Sequence, residues 1–197
     1  MLTAAHCVVD TTFGLPADPA SVQVLSGTVS LTGFARRTDV AEIIVNSSYN
    51  RFTRDADIAL LRLSRPINNT TILPVAEPAD GDLANLNATI LGWGSTDPMG
   101  TTFPTTLQQA EVTVLDNRAC NRSFRRLNRI TGNMICASST PADVCRRDDG
   151  GPLVVLTDGQ LKQAGITSFG NDCANRRFPA VFTRVSEFSR WIEQNTP

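Results

Sequence analysis

A single histidine, His6, confines any imidazole chemistry to one position in the 197 residues. Five cysteines, Cys7, Cys120, Cys136, Cys145 and Cys173, form an odd set, which leaves one without an intrachain partner. No C-x-x-C or H-x-x-x-H spacing occurs, so the His and Cys positions do not read as a zinc site. Asp148 and Asp149 are adjacent carboxylates. Neighbouring side chains tend to point apart, so they cannot share one proton as an aspartic hydrolase dyad must. Between Asn117 and Ile130 lie Arg118, Arg122, Arg125, Arg126 and Arg129. That run is either an anion-binding exosite or a solvated helix or loop face. Asn46, Asn68, Asn69, Asn87 and Asn121 each begin an N-x-Ser/Thr triplet, which matters only where secreted proteins are glycosylated.

The elements that must position these groups read as short strands. Val, Ile, Leu and Thr dominate 22–25, 40–45, 58–63, 89–93, 111–115, 152–156, 161–167 and 180–184, with turn residues between them. Only the end reads as a helix: Phe188, Trp191 and Ile192 fall at i, i+3, i+4, with Ser186 as the expected N-cap. The fold class is therefore all-β with a C-terminal helix. Hydrophobic residues make up 41%, enough for a sizeable core, and the formal charge of −1 gives no sign of a bulk nucleic-acid binder. The longest apolar run is far too short to span a bilayer. The segment 73–85, rich in Pro and Asp, is the linker. The opening Met-Leu-Thr-Ala-Ala-His-Cys lacks a basic region and a long apolar run, so it is not a signal peptide.

Leu2-Thr3-Ala4-Ala5-His6-Cys7 resembles the histidine motif of the trypsin/chymotrypsin (S1) family of serine proteases, and Asp57-Ile58-Ala59-Leu60-Leu61-Arg62-Leu63 resembles its aspartate motif. Gly92-Trp93-Gly94, Met134-Ile135-Cys136-Ala137, Asp149-Gly150-Gly151-Pro152-Leu153, Ser168-Phe169-Gly170 and Phe182-Thr183-Arg184-Val185-Ser186 follow in that family's order. The resemblance implies two antiparallel β-barrels with the active site between them. By it, 1–72 form a first barrel, expected to be incomplete because the chain starts at the histidine motif, 86–185 the second barrel, and 186–197 the helix. Together they make one peptidase domain. His6 matches the general base and Asp57 the residue that fixes its tautomer.

The serine is the departure. The family pattern Cys-x-Gly-Asp-Ser-Gly-Gly-Pro is met by Cys145-Arg146-Arg147-Asp148-Asp149-Gly150-Gly151-Pro152, which puts Asp149 at the nucleophile position. A carboxylate there is a poor acyl-transfer nucleophile, and it would pair with His6 and hold the imidazole charged. It also places negative charge where an oxyanion must develop. Loss of the serine in a comparable triad costs about 10⁶ in kcat. Arg147 replaces the glycine that, with residue 149, supplies the oxyanion-hole N–H groups; its side chain either folds over Asp149 or lies solvated at the rim. Asp148 matches the aspartate that pairs with a processed N-terminus.

Other implications follow from the resemblance. Cys120–Cys136 and Cys145–Cys173 match family disulfides, leaving Cys7 unpaired. Asp143 matches the base of a pocket for Arg or Lys side chains, Ser168, Phe169 and Gly170 the strand that pairs with substrate backbone, and Ala180 a pocket-wall glycine, whose added methyl should narrow the slot. No acidic cluster fills 26–38, where the family binds calcium, so neither metal nor cofactor is expected. The expected function is that of a catalytically inactive trypsin-like homologue that binds a polypeptide substrate or protein partner in its cleft. The alternative is an endopeptidase cleaving after Arg or Lys in which the change to Asp149 is recent or erroneous. A secreted monomer is expected, with no nucleic-acid or membrane partner.

Overall fold

The computed structural model describes residues 1–10, 12–33, 35–68, 70–97, 99–138, 148–170 and 178–196. Asn69, Asp143, Cys145, Arg147 and Cys173 therefore lie outside the described residues, and with them the expected Cys145–Cys173 bridge.

Period-two alternation builds the second half of the chain. Strands β5 (Asn87–Gly92), β6 (Gln108–Leu115), β7 (Met134–Ser138), β8 (Pro152–Thr157), β9 (Gln160–Phe169) and β10 (Ala180–Arg184) close into an antiparallel barrel in the order β10-β7-β6-β5-β8-β9. Successive side chains on a strand face opposite ways. Ala88 and Ile90, Val112 and Val114, Ile135 and Ala137, Leu153 and Val155, and Ala180 and Phe182 thus share one buried core. The opposite face of β7 and β10 contributes Met134, Cys136 and Val181 to a second cluster under a helix, α1 (Asn117–Phe124), which adds Cys120 and Phe124. Closure leaves this sheet without free edges.

The first half forms a four-stranded antiparallel sheet, β1 (Leu2–Thr3), β4 (Ala59–Leu63), β3 (Arg36–Val45) and β2 (Gln23–Ser26), in that order. Its core holds Ala5, Val8, Val24, Val40, Ile43, Ala59 and Leu61. The connecting segment 73–85 is packed rather than loose. Ala76 and Leu83 enter the barrel core, and Gln163 exchanges backbone hydrogen bonds with Ala76 (2.9 Å) and Pro74 (2.8 Å). Asp80 receives Lys162 Nζ at 2.5 Å and Thr157 Oγ1 at 3.0 Å, fixing the segment to the β8–β9 hairpin. This closed barrel, open sheet and terminal helix match the trypsin-like double-barrel architecture.

The C-terminal helix, α2 (Ser189–Asn195), lies where expected, and Phe188, Trp191 and Ile192 pack with Ala4, Ile58 and Ile166. Ser186 does not cap it. The chain enters through a 3₁₀ turn, Val185–Phe188, so the cap position falls on Phe188, which offers no side-chain acceptor. The reading that only the chain's end is helical is also corrected. Helix α1 is capped by Asp116, whose Oδ1 accepts the backbone N–H groups of Arg118 (2.8 Å) and Ala119 (3.2 Å). Its apolar face is limited to Cys120 and Phe124, too short a stripe to show against the arginines. Strands β1 and β7 were likewise not anticipated as strands; β1 is two residues long, too short for alternation to show. Among the described residues no helix is long and apolar enough to cross a membrane.

Candidate active site

His6 sits in a single 3₁₀ turn, Ala5–Cys7, directly after β1. Ala4 and Ala5 are fully buried, and their small side chains let this turn tuck against the sheet, while the His6 side chain stays partly exposed. Asp57 lies two residues before β4. Two non-glycine residues with positive φ, Arg54 at 57° and Ala56 at 52°, bend the chain just before it. Such backbone carries a local cost, and the result is a carboxylate with no solvent exposure.

A buried carboxylate must be satisfied by donors. Asp57 Oδ1 accepts the His6 backbone N–H at 2.9 Å, and Oδ2 accepts Nδ1–H of the His6 ring at 2.7 Å. Ser168 Oγ donates to Oδ2 at 2.5 Å, and Arg54 Nη1 lies 3.7 Å from it. Thr183 Oγ1 donates to the Asp57 carbonyl at 2.7 Å, pinning the backbone as well. Nδ1 is thereby fixed as a donor, and the other ring nitrogen, Nε2, is left to face Asp149.

Nε2 meets a second carboxylate there. Asp149 Oδ1 is 3.3 Å away, on a side chain 47% exposed. Cys7 Sγ lies 3.6 Å from Nε2 and is an exposed free thiol. Burial draws the His6 imidazolium down. The Asp149, Asp57 and Cys7 contacts and the Asp57 charge outweigh it and push the group up to about 11. Both ring nitrogens thus face a carboxylate, an arrangement that favours the imidazolium form.

The loop bearing Asp149 is held by backbone. Gly150 N–H donates to Thr167 carbonyl (2.9 Å), Thr167 N–H to Gly151 carbonyl (2.8 Å) and Gly151 N–H to Asp148 carbonyl (2.9 Å). Gly150 has φ +79°, and a Cβ there would stand 2.7 Å from Thr3 Oγ1, so glycine is required on both counts. Asp148 reaches the Gly92-Trp93-Gly94 motif instead, its Oδ1 accepting Gly94 N–H at 2.8 Å. Its carboxylate occupies the space that a Cβ on Gly92 or Gly94 would fill, which explains both glycines of the Gly92-Trp93-Gly94 motif.

The remaining expected site residues are placed as follows. Ser168 is buried, with its hydroxyl on Asp57. Phe169 packs edge-to-face on Phe124 at 5.8 Å, and Gly170 is exposed. Ala180 is 2% exposed and turned into the barrel core with Phe182. Cys120 and Cys136 are joined in a disulfide. Among the described residues no three His, Cys, Asp or Glu side chains are grouped to hold a metal ion. Arg54 and Thr183 were missed as supports of Asp57, and the sequence carries no signal for either, since Thr183 lies 126 residues from its partner.

Among known protein families, the trypsin family matches residues 1–192, and the chain belongs to it. Over its whole length it is 36% identical to the clotting factor G beta subunit of Tachypleus tridentatus, covering 67% of that protein. It is 33% identical to trypsin-1 of Astacus astacus, with 98% of this chain and 82% of that protein aligned. Against trypsin of Xenopus laevis the identity is 35%, over all of this chain and 76% of that one.

Proposed function

We propose that this trypsin-family chain binds polypeptide in its cleft without cleaving it, because Asp149 stands at the position of the nucleophilic serine. The observation that carries the reading is the contact between His6 Nε2 and Asp149 Oδ1 at 3.3 Å. In a serine protease that nitrogen takes the serine proton. Here it holds its own proton against a carboxylate, and a nucleophile and a free base are lost together. Negative charge from Asp149 further opposes any oxyanion formed beside it. By the family correspondence Asp143 matches the base of the specificity pocket, where a carboxylate would favour Arg or Lys side chains by charge pairing. The Cys120–Cys136 disulfide supports an oxidising, extracellular setting.

The test is incubation of the purified chain with a fluorophosphonate and with an arginine thioester. No labelling and no turnover above background are expected; stoichiometric labelling overturns the reading. A second reading, an Arg/Lys-specific endopeptidase interrupted only at the nucleophile, is favoured by the His6–Asp57–Ser168 network with its bonds of 2.7 and 2.5 Å. Asp149→Ser separates the two. Little activity returns if Arg147 also impairs the oxyanion site, whereas near-full activity establishes the second reading.

A further inference from the structure

Closure of the second barrel leaves a row of outward side chains that crosses four strands. Asn87 opens β5 and pairs with Thr113 of β6. On its other side, the pairing of Ala88 with Val155 sets Asn87 beside Leu156 of β8, and Leu156 pairs with Leu161 of β9. Ala88 and Val155 point into the core, so alternation turns Asn87 and Leu156 outward. All four residues of the row are exposed, and the two leucines keep 62% and 57% of their surface in water. Neighbouring strands lie about 4.8 Å apart, so the Asn87 backbone is about 5 Å from that of Leu156 and about 10 Å from that of Leu161. The platform is rigid. Asp158 and Gly159, at φ +50° and +73°, make the two-residue turn between β8 and β9. On the opposite face Asp80 holds both Thr157 and Lys162.

Asn87-Ala88-Thr89 is one of the N-x-Ser/Thr triplets, and the fold separates it from the others. Asn46 is buried, and its Oδ1 accepts Ser48 N–H at 2.9 Å. Asn121 has both ends of its amide engaged, Nδ2 donating to the Asn117 and Ile130 carbonyls and Oδ1 accepting Ile130 N–H. A bulky substituent on either would displace native contacts. The triplets at Asn68 and Asn69 share residue 69, outside the described residues. Asn87 combines an exposed amide with a strand that holds it beside an apolar pair.

We propose that Asn87 is a site of N-linked glycosylation whose first sugars lie over Leu156 and Leu161. The step is substitution at an anomeric carbon, with a lipid diphosphate-linked oligosaccharide as donor. Asn87 Nδ2 bonds to C1 of the first sugar, the bond from C1 to the diphosphate oxygen breaks, the lipid diphosphate leaves, and Nδ2 gives up one proton to the transferring enzyme. A sugar ring carries a face of C–H groups, which can cover leucine side chains while its hydroxyls stay in water. Two leucines fall far short of the roughly 800 Å² that a protein partner buries on each side, whereas linked sugar rings starting at Asn87 reach along the row. The proposal rests on the extracellular setting argued above and on nothing in the cleft.

The experiment secretes the full chain from cultured mammalian cells behind a cleavable leader and treats the folded protein with peptide-N-glycosidase. That enzyme turns a glycosylated Asn into Asp, which fragment-ion sequencing locates. Conversion at Asn87 is expected, with Asn46 and Asn121 unconverted. Asn87→Gln should lower the intact mass by one glycan, and so should Thr89→Val, which leaves Asn87 in place. In the glycosylated protein, nuclear Overhauser contacts should link protons of the first sugars to the Leu156 and Leu161 methyls. An unmodified Asn87 in the secreted, folded chain overturns the proposal. Conversion at Asn46 or Asn121 overturns the selection by the fold, and a glycan on Asn87 without contact to either leucine overturns the covering role.

Discussion

The imidazole of His6 is shared between carboxylates, with Nε2 3.3 Å from Asp149 Oδ1 while Nδ1 rests on Asp57 at 2.7 Å. A family position associated with proton acceptance is thus occupied by a closed ion-pair network. Replacing Asp149 by Asn keeps the shape and removes one of the two charges. The His6 titration midpoint should then fall well below the value of about 11 that both carboxylates sustain. With one histidine in the chain, its ring protons in an NMR titration give an unambiguous readout. An unmoved midpoint would mean that Asp149 does not hold the proton.

The same linkage fixes a stability profile. The folded-state value of about 11 lies above the ordinary 6.5, so folding favours the protonated ring. The stability this contributes is fully present below 6.5 and is lost as pH rises toward 11. Urea unfolding of the wild type and of Asp149→Asn, from about pH 5 upward to stay clear of carboxylate titration, should show a difference that narrows as pH climbs. A gap that widens with pH contradicts the sign.

Ser168 is a support of Asp57. Ser168→Ala deletes a buried donor to a buried charge and should cost about 2 kcal/mol of unfolding free energy. The His6 midpoint should move as well, because Asp57 loses a competing hydrogen-bond donor. A change in stability with no change at His6 would assign the hydroxyl a packing role only.

Gly94 lets the Asp148 carboxylate reach its backbone N–H, and a methyl there overlaps that carboxylate. Gly94→Ala should displace Asp148 and loosen the 148–151 turn, seen as faster amide exchange at Gly150 and Gly151. Retained protection at both amides would show that the turn does not depend on Asp148.

Cys120 and Cys136 are fully buried and close a loop 16 residues long. Replacing both by Ala should cost about 3 kcal/mol. Peptide mapping without reductant should recover this pair and a Cys145–Cys173 pair, with Cys7 alkylated as a free thiol. Cys7 bonded to any of the other four would contradict the family correspondence of the cysteines.

Much of the architecture is local information. Five of the six barrel strands, all but β7, are visible because runs of Val, Ile, Leu and Thr between turn residues are a local signal that survives in a linear reading. The stripe Phe188, Trp191, Ile192 shows the last helix for the same reason. Motif order brings His6, Asp57 and Asp149 to one place by resemblance, and Asp149 is noticed because Cys145 and Gly150-Gly151-Pro152 fix its register. What the chain does with those residues is non-local. Ser168 reaches Asp57 across 111 positions, and Gly94 receives Asp148 across 54. No spacing rule connects residues so far apart, because hydrogen-bond partners are chosen by strand register and loop path. Helix α1 was hidden because its stability comes from an Asp116 cap, two buried side chains and a disulfide, and Ser186 lost the cap expected of it to a 3₁₀ turn. The sequence determined which groups were available for chemistry. Tertiary structure decided that two carboxylates converge on the one imidazole ring and raise its pKa against the effect of burial.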